Sequence, residues 1–133
     1  MSIWRLMDYY PEPGLNPVRD WYEEQEEDVQ AEFDFALRAF IANEDWTEAS
    51  EVLALGGRYV GLYEVCIEVF SLDDRETHFR AIGAWRQDSR NFILFLVSEL
   101  SEGQYEPPLE RAFERKVAWE KGKKGEIYDH QFY

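Results

Sequence analysis

Apolar residues recur at spacings of three and four from Val29 through Phe33, Leu37, Phe40 and Ile41, while Glu26, Glu27, Glu32 and Asp34 fall off that stripe. That period predicts a helix with one buried face. Just upstream, Asn16 precedes Pro17. Asn accepts hydrogen bonds from the free donors of a helix start and Pro fits its first position, so a short helix through Trp21 and Tyr22 is expected. The aromatic-rich segment 2–10 stops at Pro11-Glu12-Pro13-Gly14 and reads as a first strand. Within 62–70, Tyr63, Val65, Ile67 and Val69 alternate with Glu64, Cys66 and Glu68, the mark of a half-buried strand. Beyond the turn-prone pair Asp73-Asp74, Phe79, Ala81 and Trp85 alternate with His78, Arg80 and Ile82, which completes a hairpin. The unbroken run 92–97, FILFLV, suits a central strand covered on both faces. Pro107-Pro108 then opens a helix with Leu109, Ala112, Phe113 and Val117 at helical spacing and Gly122 placed to end it. Residues 46–55 read as a short helix or a turn. No repeat or low-complexity linker interrupts this β-α-α-β-β-β-α order, which predicts one α+β domain over 1–133, with 122–133 an aromatic tail.

Charge changes the picture next. The 133-residue chain carries 28 acidic residues against 14 Lys and Arg, a net charge of −14. General attraction to phosphate backbones is therefore disfavoured, and no sequence-specific DNA binding by the chain alone is expected. The acids concentrate over 20–34, which holds no Lys or Arg, and Glu23, Glu24, Glu26, Glu27 and Asp28 form a candidate face for a basic partner or else a solvated helix surface. Residues 111–124 run the other way. There Arg111, Arg115, Lys116, Lys121, Lys123 and Lys124 stand against Glu114 and Glu120, a set that suits either RNA contact or the negative end of a helix. One cysteine permits no internal disulfide, and two histidines supply no spaced zinc set, so neither metal nor cofactor is expected. With no apolar run long enough to span a bilayer and no basic-then-apolar opening, a cytoplasmic location is expected, away from any membrane.

Five residues carry candidate chemistry. Arg80 is either a phosphate-binding cation or half of a cross-strand ion pair with a carboxylate such as Glu68. His78 has a proton affinity suited to general base work near neutral pH, or is a plain strand histidine. Cys66 lacks a surrounding His and Asn pattern and reads as a core residue rather than a nucleophile. Glu64 and Glu68 lie ~13 Å apart along a strand, too far for a glycosidase pair.

The element order, together with NPVRDWYEE at 16–24, GLYEVCIEV at 61–69, THFRAIGAW at 77–85, FILFLVSEL at 92–100 and PPLERAFERK at 107–116, resembles the RelE/ParE toxin superfamily, most of all its phage-derived, HigB-type branch. The resemblance spans roughly residues 17–121. It implies a RelE-like α+β fold, with two N-terminal helices on a small, mainly antiparallel sheet of about four strands and a C-terminal helix. It also implies the toxin component of a toxin–antitoxin system that cleaves messenger RNA at the ribosome without a metal, restrained by a cognate antitoxin such as a helix-turn-helix protein. On that likeness Arg80 and His78 are the catalytic candidates, and Arg111, Arg115, Lys116, Lys123 and Lys124 are RNA or partner contacts. Two family cations are missing. Cys66 stands where the Gly-Leu-aromatic-Glu-Leu-Arg strand ends in Arg, and 98–103, SELSEG, replaces a Lys-rich loop. These departures raise the alternative of a noncatalytic acidic interaction protein on the same frame, one that binds a basic protein or imitates nucleic acid.

Overall fold

A computed structural model describes residues 4–49, 51–70, 76–99, 106–122 and 124–132. Among them run β1 (Arg5–Tyr10), α1 (Pro17–Glu23), α2 (Glu27–Ile41), β2 (Val52–Ala54), β3 (Tyr63–Phe70), β4 (Glu76–Arg86), β5 (Asn91–Glu99), α3 (Glu106–Gly122) and β6 (Glu126–Asp129), with 3₁₀ turns at Trp46–Glu48 and Gly57–Tyr59. The fold is α+β, with three helices and a mixed six-stranded sheet in the order β2-β3-β4-β5-β1-β6. Only β1 and β5 pair in parallel; every other neighbour is antiparallel. No helix among the described residues is long and apolar enough to cross a membrane.

Local chemistry explains the helix starts. The Asn16 side chain accepts from the Arg19 amide at 3.1 Å and donates through Nδ2 to the buried Asp8 carboxylate at 2.9 Å. Asn16→Ala removes both contacts, and a loss of about 1–2 kcal/mol in urea unfolding is expected. The α2 stripe packs as its period predicts, with Phe33, Leu37 and Phe40 fully buried. Asp34 departs from the sequence reading, because it too is buried: it faces α1 and accepts a 2.7 Å hydrogen bond from Tyr22 Oη.

The sheet separates two cores. On one face α1 and α2 cover Val65, Ile67, Phe79, Ala81, Phe92 and Leu94. On the other, Leu109 and Ala112 of α3 cover Met7, Tyr9, Leu62, Ile82, Ile93 and Phe95. The continuous 92–97 run is thus a central strand buried on both sides.

Two edge strands extend the four read from the sequence. The 46–55 stretch forms the 3₁₀ turn, capped by Asp45, and then β2. The aromatic tail becomes β6 on β1, entered through Gly125 at φ +91°, where a Cβ would sit 2.6 Å from the Tyr10 carbonyl oxygen. Past β6, His130 Nδ1 lies 2.8 Å from Asp8 Oδ1, and the Phe132 ring packs beneath the Arg38 guanidinium at 4.7 Å.

Candidate functional site

Strand alternation places Glu64, Cys66 and Glu68 of β3 on the α3 side of the sheet, beside His78 and Arg80 of β4. Cys66 pairs with Arg80 in register, Glu68 with His78, and Arg80 in turn with Ser98 of β5. Among the described residues, Arg80 is one of the largest fully buried side chains, only 1% exposed. Its Nη1 donates to Glu64 Oε1 at 3.1 Å and its Nε to Ser98 Oγ at 3.3 Å. The carboxylate that pairs with it is therefore Glu64, one diagonal step across the ladder, and not Glu68. Glu68 instead lies 4.0 Å from His78 Nδ1, while Glu76 lies 3.2 Å from Nε2, so the exposed imidazole sits between two carboxylates.

Cys66 reaches the surface, yet desolvation by the surrounding sheet, followed by the charge of Glu64, pushes its thiol above the ordinary value. The thiol stays protonated near neutral pH and is a poor nucleophile there.

A cleft of about 430 Å³ opens between the end of β5 and the start of α3, lined by Leu96, Val97, Ser98, Pro107, Pro108 and Arg111. Because Pro107 and Pro108 have no N–H, this helix start offers few backbone donors to an anion, and the positive charge must come from side chains. Arg111 supplies it: the residue is exposed and forms no ion pair among the described residues. One turn on, Arg115 Nη1 donates to the Phe95 carbonyl at 2.8 Å. Phe95 is the extra residue of the β4–β5 bulge, between the Ile82–Leu96 and Gly83–Leu94 pairs. Burial first, and then the charge of Arg111, pull the Arg115 guanidinium below its ordinary value. Two like charges four residues apart on a helix oppose folding slightly, and an anion between them relieves that repulsion.

The remaining predicted cations lie away from this cleft or outside the described residues. Lys116 bonds Glu120 at 3.1 Å and reaches over Gly61. The Lys124 carbonyl accepts from Tyr9 Oη at 3.0 Å, while Lys123 falls outside the described residues. Glu23, Glu24, Glu26 and Glu27 are exposed and Asp28 half-buried where α1 meets α2, on the far side of the sheet from Arg80. The structure thus brings Arg80, His78, Arg111 and Arg115 to one side of the sheet and leaves the acidic hairpin on the other. Sequence reasoning missed Ser98, whose only signal was its place at the end of the apolar run. The chain matches no family model, and no curated protein or solved structure is significantly similar to it.

Proposed function

We propose that the chain is a RelE-like toxin component that acts on translation by cleaving messenger RNA at the ribosome, and that its RNA phosphate sits in the β5–α3 cleft. The observation that carries this reading is Arg111 on the cleft wall with Arg115 one turn behind it, two cations without a carboxylate partner among the described residues, on a chain of net charge −14. In this reading β1, β3, β4 and β5 are the family's strands, and β2 and β6 are additions. The 2′-oxygen attacks the adjacent phosphorus while the bond to the 5′-oxygen breaks. Arg111 and Arg115 counter the charge that grows on the phosphorane oxygens. His78 takes the proton from the 2′-hydroxyl and returns it to the departing 5′-oxygen, and the flanking Glu68 and Glu76 orient its ring. Arg80 is a positioning residue, neutralised by Glu64 and holding Ser98 at the cleft wall. The activity needs no metal of its own, operates in the cytoplasm and is restrained by a cognate antitoxin.

The test is tightly controlled expression in a bacterium, with growth and transcript integrity followed together. Wild-type protein is expected to arrest growth with cleaved transcripts, and Arg111→Ala or His78→Ala to reduce cleavage at least tenfold while remaining soluble. Intact transcripts from folded wild-type protein sink the proposal.

A second reading has its own observation. The Arg80 and Glu64 pair is 1% and 4% exposed, so the strand cation that the family frame retains does not itself reach a substrate. A protein that kept the frame and lost the chemistry would act by binding, through Glu23, Glu24, Glu26 and Glu27. Salt-sensitive partner binding that disappears when these four are neutralised, with normal growth on expression, would favour it.

A further inference from the structure

A second cleft, of about 660 Å³, opens at the other end of the sheet beside the β4–β5 turn, and nothing in the RNA reading uses it. Its inner wall is aromatic. Trp85, half-buried, lies between Trp4 at 6.3 Å and Trp46 at 5.7 Å, and all three belong to the core that α1 and α2 cover. Its rim is mainly anionic. Glu44 is exposed and unpaired among the described residues, and Asp45 is pinned through Oδ1 by the Thr47 amide at 3.0 Å and the Thr47 hydroxyl at 2.6 Å. The hydroxyl bond first, and the amide bond second, hold the Asp45 carboxyl below its usual range.

Among the described residues, Arg90 is the single cation lining the cleft, forms no ion pair, and is the one non-glycine residue at positive φ, +56°. That conformation closes the β4–β5 turn between Arg86 and Asn91, and the turn sets the Arg90 side chain at the cleft wall. Two carboxylates outweigh one guanidinium at this rim, on a chain of net charge −14. Indoles are the strongest aromatic partners of organic cations.

We propose that this cleft captures a Lys or Arg side chain from a basic segment of a protein partner. The cation lodges between Trp85 and the carboxylates of Glu44 and Asp45, and Arg90 donates to the main-chain carbonyls of the same segment. A nucleotide would offer its base to the same indoles, but its phosphate would meet the two carboxylates. The proposal does not depend on RNA cleavage.

The test is a ¹H–¹⁵N titration of the full chain that follows the Trp85 indole N–H, identified by its absence in Trp85→Phe. The probes are the blocked peptide acetyl-Gly-Arg-Gly-Arg-Gly-amide and AMP. Saturable shifts with the peptide are expected, with at least a fivefold loss of affinity in Glu44→Gln/Asp45→Asn, where Asn keeps the acceptor for Thr47. The control Glu23→Gln/Glu24→Gln should stay within twofold of wild type. Saturation by AMP in place of the peptide, an equal loss in the control, or no saturation by the peptide would each overturn the assignment.

Discussion

Glu64→Ala is expected to cost about 3 kcal/mol of stability, a large share of what a domain of this size holds in reserve. Arg80 and Glu64 are buried together at 3.1 Å between strands, so the truncation takes away a counter-charge from a guanidinium that is only 1% exposed. The cost lies in what is left behind more than in the contact removed. Replacing both partners, as in Glu64→Leu/Arg80→Met, should therefore return stability to within about 1 kcal/mol of wild type. Urea unfolding followed by fluorescence and by circular dichroism measures both. A single variant as stable as the double would show that the pair does not hold this hairpin.

Gly83→Ala should be nearly as damaging, at about 3 kcal/mol or some 10 °C in melting temperature. Gly83 lies where the β4–β5 register shifts, and a Cβ there would overlap the Ile93 carbonyl oxygen and the Phe92 ring. The obstacle is mainly backbone of a strand buried on both faces, which cannot swing aside as a flexible side chain can. Gly56→Ala is the matched control. A Cβ there meets nothing within 4 Å at an ordinary φ, so its effect should stay within about 0.5 kcal/mol. Equal melting temperatures for the two variants would mean that β4 and β5 do not approach as closely as described.

The candidate cleft was legible only in pieces. Arg80 and His78 could be placed on one strand face, and Arg111 and Arg115 one turn apart on a helix, because a strand repeats every two residues and a helix every 3.6. Which carboxylate would meet Arg80 was not legible. The register puts Glu68 opposite His78 and leaves Glu64 on the diagonal that the guanidinium reaches. Nor did periodicity reveal that Asp34, one residue from Phe33, turns toward Tyr22, since that contact depends on how α1 lies against α2.

Local patterns by themselves determined the helix starting after Asn16, the α2 stripe, the alternating β3–β4 hairpin, the doubly buried β5 and the proline-led α3, because each is written within one or two turns of chain. Only the tertiary structure decided the rest. β2 and β6 are three and four residues long, too short to carry a period, and exist as strands because β3 and β1 present them an edge. Trp4, Trp46 and Trp85 converge from three separate segments, and Ser98 of β5 and Arg111 of α3 come to line one cleft. Contacts between residues distant in sequence depend on register, bulge and helix placement, which follow from packing the whole chain into two cores.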